Sequence, residues 1–174
     1  LTIYTSEHNV LYELSQQVGK ALSQQGMMLV TAESCTGGWL GEAITAVPGS
    51  SSWYERGFIT YNNLSKQEML GVQSSTLERF GAVSSQTAQE MVSGALNRSH
   101  AHIGVSITGI AGPGGGTIEK PIGMVCFAWA IKDGLLQKEI KNFSGDRDLI
   151  RFKAVETALN GLLVLMGGLS IMLS

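Results

Sequence analysis

Val10, Leu11, Leu14, Val18, Ala21 and Leu22 recur at the three- and four-residue intervals of one helix face. Gly26 follows as a stop, so the pattern predicts an amphipathic first helix. Residues 27–31 are short and continuously apolar, the pattern of a buried strand. A second helical period begins beyond Gly37-Gly38 and ends before Pro48-Gly49. Ser50, Ser51 and Ser52 make a polar loop, and the aromatic, β-rich stretch 53–61 predicts a strand. A short helix is expected over 64–70. Ser75 and Glu78 have the spacing of a capping box, and Gly81 closes that turn. Ser84 caps a further helix through about Leu96, residues 103–107 read as a strand, and a glycine-rich loop spans 108–117. The runs 124–131 and 135–143 flank Asp133-Gly134, a strong hairpin signal. Ser144 or Asp146 then opens a last helix.

Strands mixed with helices, plus one hairpin, predict an α/β layered fold with a mixed sheet. With 174 residues and neither repeat nor linker, one domain over 1–174 is expected. Strand order stays open. Charged residues are only 15% of the chain, the net charge is -2 and no Lys/Arg cluster occurs, so nothing points to nucleic acid. Cys35 and Cys126 form neither a CxxC nor a zinc pattern, which suits a reducing cytoplasm. Residues 1–10 mix polar and charged types, unlike a signal peptide. The apolar tail 161–174 falls short of the roughly 20 residues that span a bilayer. It is expected to pack on the domain or on a second subunit, because exposed it would form a large apolar patch.

Three segments can carry chemistry. Glu33-Ser34-Cys35-Thr36-Gly37-Gly38 lies between a strand and a helix, where α/β proteins place ligands. A hydroxyl or thiol there can attack a carbonyl while nearby backbone N–H groups hold the oxyanion; a plain capped helix start is the alternative. Tyr61 and Lys66 flank a second strand-to-helix junction. A lysine there serves as a base only when neutral, and otherwise is an exposed helix residue beside a packed tyrosine. The loop 108–117 lacks the Lys-Ser/Thr ending of a P-loop. A nest of its N–H groups can hold an anion, or it is simply a flexible hairpin loop. Arg147 and Arg151, one turn apart, can meet a phosphate or sit on the surface. His100 and His102 have no carboxylate partner in sequence, so no metal site is expected.

Taken together, these segments resemble the CinA C-terminal family, the nicotinamide-nucleotide amidases. The matching pieces are Ala32-Glu33-Ser34-Cys35-Thr36-Gly37-Gly38; Gly57-Phe58-Ile59-Thr60-Tyr61-Asn62-Asn63 with Lys66; Thr108-Gly109-Ile110-Ala111-Gly112-Pro113 with Gly115-Gly116; and Gly145-Asp146-Arg147. They stand in the family's order and cover roughly residues 7–160; the tail after about Leu165 has no clear counterpart.

The resemblance implies a three-layer α/β/α sandwich, often dimeric, and hydrolysis of nicotinamide mononucleotide to nicotinate mononucleotide and ammonia without metal or cofactor. It implies Ser34 as nucleophile and Lys66 as base, with Tyr61 assisting. The expected oxyanion donors are the N–H groups of Thr36, Gly37 and Gly38. The 5′-phosphate is expected on Thr108, Gly109, Ala111, Gly112, Gly115, Gly116 and Arg147. The substrate is thus a small molecule, not nucleic acid or membrane. Two other classes remain: a non-catalytic nucleotide-binding module, and a phosphohydrolase built on the glycine loop. Only Glu119 and Asp146 lie near that loop to serve the latter's metal.

Overall fold

The computed structural model describes residues 6–172, with side chains as far as residue 168. Residues 1–5, half of the stretch read above for a signal peptide, lie outside it, as do Leu173 and Ser174 of the tail. In chain order the elements are α1 (Ser6–Gln25), β1 (Leu29–Glu33), α2 (Trp39–Thr45), a 3-10 turn (Ser50–Ser52), β2 (Tyr54–Ile59), α3 (Asn63–Leu70), α4 (Ser74–Phe80), α5 (Ser85–Asn97), β3 (Ile103–Gly109), β4 (Met124–Ile131), β5 (Leu136–Asn142) and α6 (Arg147–Met172).

The strands β1, β3 and β4 form the sheet interior and are buried at nearly every position, on both faces. The charged strands β2 and β5 take the edges, giving the order β2-β1-β3-β4-β5. Pairing is parallel for β1 with β2 and β3, and antiparallel for β4 with β3 and β5, so the sheet is mixed. Side chains alternate across it. Leu29, Ile103, Val105, Phe127 and Trp129 join the cluster under α1, α2 and α6, whereas Val30, Ala32, Cys126 and Ala128 join the one under α5. From β1 the chain goes through α2 to one side and returns through α3–α5 to the other. Right-handed crossovers in opposite directions put those helices on opposite faces. The result is an α/β/α sandwich whose strand order reverses between β1 and β3.

Local sequence set several boundaries. Gly26 ends α1 at φ 63°, and the Ser84 hydroxyl caps α5 by accepting from Thr87 N at 3.1 Å. At the last helix Asp146, not Ser144, is the cap, accepting from Leu149 N at 2.9 Å. The capping box at Ser75 and Glu78 does not form: α4 starts at Ser74 after Gln73, whose side chain makes no cap. Instead Glu90 of α5 accepts from Gln73 N and from the Thr76 hydroxyl, a tertiary cap that replaces the local one. The apolar tail continues α6 and buries Leu162, Leu165 and Met166 in the core with α1, while Val164 is exposed. Gly161 lets α6 lie on the Trp129 indole, which donates to Ala158 O at 3.0 Å; a Cβ at 161 would sit 2.2 Å from the ring. Among the described residues no helix is long and apolar enough to cross a membrane.

Candidate active site

The reversal of strand order opens a crevice at the carboxyl ends of β1 and β3, the place where such sheets bind ligands. Ser34 is the first residue beyond β1. It is pinned there because its own N–H donates to Ile107 O at 3.0 Å and Thr60 N donates to Glu33 O at 2.8 Å. The chain then reverses through Gly37 and Gly38, at φ 60° and 100°, where an L side chain would be strained. The Glu33 carboxylate is 2% exposed and accepts the N–H groups of Gly38, Leu40 and Gly41 at 3.2, 2.9 and 3.1 Å, which ties the start of α2 to the end of β1.

Lys66 reaches Ser34 from α3, whose first turn is set by the Asn62 side chain accepting from Ser65 N at 2.8 Å. Lys66 is 1% exposed, and its Nζ lies 2.9 Å from Ser34 Oγ and donates to Thr60 O at 2.7 Å. Burial lowers its pKa from 10.5 to about 8, because the ammonium loses its hydration with no carboxylate in return. A neutral amine at this distance can accept a hydroxyl proton. Burial acts oppositely on Cys35, raising its thiol to about 12 despite the cations nearby, so it stays a protonated, weak nucleophile.

An open cleft of about 280 Å³ adjoins this pair, lined by Ser34, Cys35, Tyr61, Gly109, the glycine loop and Arg147. Arg147 donates to Gly112 O at 2.7 Å and to Tyr61 Oη at 3.0 Å, and no carboxylate among the described residues pairs with it. The N–H groups of Ala111, Gly112, Gly114 and Gly115 likewise donate to no acceptor among the described residues. An uncharged loop of unengaged donors beside an unpaired guanidinium suits an anion.

The structure thus brings Ser34, Tyr61, Lys66, Gly109, Ala111, Gly112, Gly115 and Arg147 together and leaves other expected residues elsewhere. Thr108 lies inside β3, 1% exposed, its hydroxyl donating to Ala82 O at 2.8 Å away from the cleft. Gly116 is not in the cleft wall; it packs on Ile122. Tyr61 lines the cleft but is 61% exposed and accepts from Arg147, with no hydrogen bond to Ser34 or Lys66. The N–H of Gly37 closes on Ser34 O at 3.0 Å and that of Gly38 is held by Glu33, so of the three expected oxyanion donors only Thr36 N–H is unengaged among the described residues. Arg151 does not face the cleft with Arg147; it donates to the carbonyls of Cys35 and Thr36. His100 and His102 serve structure: His100 N–H donates to Glu55, and His102 Nδ1 accepts from Met28 N. Glu33 was missed as a site residue. Its signal was a carboxylate closing an otherwise apolar strand, a charge that needs buried donors.

A serine–lysine pair at the switch point of a mixed α/β/α sheet, beside a glycine loop and an arginine, defines the class of protein. The sequence model of the family described as CinA C-terminal domain matches residues 11–166, and the chain belongs to that family. It is 50% identical over 149 residues to the nicotinamide-nucleotide amidohydrolase PncC of Enterobacter agglomerans, covering 86% of this chain and 91% of that one. To the protein of the same name in Escherichia coli K12 it is 51% identical over 154 residues, covering 87% and 92%. Among solved structures, the competence/damage inducible protein CihA of Agrobacterium tumefaciens superposes with a TM-score of 0.88 at 43% identity, over 95% of this chain and 99% of that one.

Proposed function

We propose that this protein is an amidohydrolase that converts nicotinamide mononucleotide and water to nicotinate mononucleotide and ammonia. The observation that carries the catalytic half is Lys66, fully buried, its pKa lowered to about 8, with its amine 2.9 Å from Ser34 Oγ. A module that only binds nucleotides has no use for a desolvated lysine on a serine hydroxyl. The substrate half is supported by half-identical relatives that bear the name over most of both chains. The unpaired Arg147 and the glycine loop beside Ser34 add to it, suiting a phosphate.

In this reading neutral Lys66 takes the Ser34 proton as Oγ attacks the carboxamide carbon. The tetrahedral oxyanion is held by backbone donors, Thr36 N–H foremost. Collapse breaks the C–N bond, and ammonia leaves with the proton that Lys66 returns. Water, deprotonated by the same amine, then attacks the acyl–serine ester, releasing nicotinate mononucleotide and restoring the Ser34 hydroxyl. The substrate's pyridinium charge makes the amide more electrophilic. Tyr61 helps hold Arg147 over the phosphate. The reading extends to one catalytic domain without cofactor, working as a homo-oligomer in a reducing cytoplasm, which the two buried free cysteines suit.

Ammonia release from a panel of amides tests it: nicotinamide mononucleotide, nicotinamide riboside, nicotinamide and glutamine. The mononucleotide should be by far the best substrate. No release from any amide, or a preference for free nicotinamide, overturns the reading.

A further inference from the structure

The guanidinium of Arg151 sits behind the nucleophile turn. Its Nε donates to Cys35 O at 3.2 Å and its Nη2 to Thr36 O at 3.0 Å. Its central carbon lies 5.3 Å from the centre of the Trp39 ring, and Asp148 lies 3.8 Å from Nη1. Two adjacent carbonyls of one turn are therefore held by one planar, bidentate donor.

In a trans peptide the carbonyl and the N–H of the next residue point in opposite directions. Holding Thr36 O consequently turns Gly37 N–H away from Arg151, and it closes on Ser34 O at 3.0 Å. Holding Cys35 O by the same logic turns Thr36 N–H away from Arg151. Most other donors of the turn are occupied. Gly38, Leu40 and Gly41 bond to Glu33 and Trp39 N–H donates to Thr36 O at 3.1 Å, which leaves the N–H groups of Cys35 and Thr36 without an acceptor among the described residues. Thr36 is fully buried, its N–H meets no acceptor among the described residues, and its hydroxyl oxygen also lacks a partner. A buried residue with unengaged donors, two positions beyond the nucleophile, suits a transient acceptor.

We propose that Arg151 is a positioning residue that aims the Thr36 N–H at the oxyanion by anchoring the Cys35 and Thr36 carbonyls, and that it does not bind the substrate phosphate. This rests on the amidohydrolase reading above.

The test compares wild type, Arg151→Met and Arg151→Lys on nicotinamide mononucleotide, on its thioamide analogue and on nicotinamide riboside. Sulfur accepts hydrogen bonds poorly, so a reaction through a thiolate-like intermediate gains little from an oxyanion donor. Misplacing a donor costs on the order of 100-fold in rate. Arg151→Met should lose about that much kcat on the amide, with KM little changed, and much less on the thioamide. The amide-to-thioamide rate ratio should then fall by on the order of tenfold or more. Arg151→Lys, with one point donor instead of a fork, should fall between. The ratio is taken within one sample, so it does not depend on the folded fraction.

Equal losses on both substrates would show a merely structural role and overturn the proposal. So would unchanged rates, or a KM that rises for the mononucleotide but not the riboside. Failure of the wild type to release ammonia would instead remove the amidohydrolase reading itself, and the proposal with it.

Discussion

Lys66 offers the sharpest quantitative test, because one displaced pKa governs both rate and stability. With a pKa of about 8, roughly a tenth of the lysine is neutral at pH 7, half at pH 8 and nine-tenths at pH 9; an ordinary value of 10.5 would leave about 0.03% at pH 7. Burial therefore raises the population of working base about 300-fold at neutrality. Cys35 stays protonated until about 12, so no thiolate forms in this range to pull Lys66 back up. The expected profile of kcat/KM climbs about fivefold from pH 7 to 8 and about tenfold from pH 7 to 9, then levels. The window stays clear of the second phosphate ionisation of the substrate near 6. A profile flat from pH 7 to 9, or one still rising tenfold per unit at pH 10, would refute Lys66 as the neutral base. Lys66→Arg keeps the charge but cannot deprotonate, and should abolish activity at every pH. The linkage runs the same way. The folded pKa lies below the unfolded one, so between about 8 and 10.5 the unfolded chain binds more protons and stability rises with pH. Below that window the full penalty of about 3 kcal/mol is present. Urea unfolding of wild type and Lys66→Met at pH 7 and pH 10 should show the wild type gaining about 2 kcal/mol relative to the variant as pH rises.

Ser34→Ala should remove nearly all ammonia release, whereas Cys35→Ala should retain most of it; the opposite pattern would move the nucleophile to the thiol. Arg147→Ala should cost about 10- to 100-fold in kcat/KM on the mononucleotide, a loss of about 1.5–3 kcal/mol, and little on the riboside. Equal losses on both would mean Arg147 does not read the phosphate. Leu165→Ala, at a buried position of α6, should cost about 2–5 kcal/mol in urea unfolding and leave the turnover of folded protein intact. A null effect there would mean that the tail is dispensable to the core.

Much of the fold was legible because its signals are local. The period of α1 with Gly26, the Ser84 cap and the Asp133-Gly134 connection between β4 and β5 each act within a few residues of chain. Ser34 and Lys66 were singled out by the family resemblance, since their local surroundings alone suited a capped helix start and an exposed helix lysine equally well. The misreadings share the opposite cause. The Ser75 and Glu78 spacing was correct as a pattern, yet Glu90, 14 residues beyond Thr76, supplies the acceptor instead. The Gly37 and Gly38 amides look available in a glycine-rich turn, but a buried carboxylate and a carbonyl hold them. Thr108 belongs to a motif, yet strand alternation points its hydroxyl to the far side of the sheet.

By itself, then, the sequence determined which segments become helices and strands, that the sheet is mixed, and which residue types stand ready at the two strand-to-helix turns. Periodicity and turn chemistry operate over a handful of residues, and both are written in the order of the chain. Tertiary structure alone decided the order β2-β1-β3-β4-β5, and with it the reversal that opens the crevice at Ser34. It also decided that Lys66, 32 positions away from that serine, is desolvated beside it. Arg147 and Arg151 carry identical side chains one turn apart on one helix. The first faces the cleft and the second clamps the turn behind it, because the segments that α6 meets, Gly112 and Tyr61 for one, Cys35 and Thr36 for the other, come from distant parts of the chain. Which role an arginine takes depends on which carbonyls packing brings within its reach, and no spacing along a single chain encodes that.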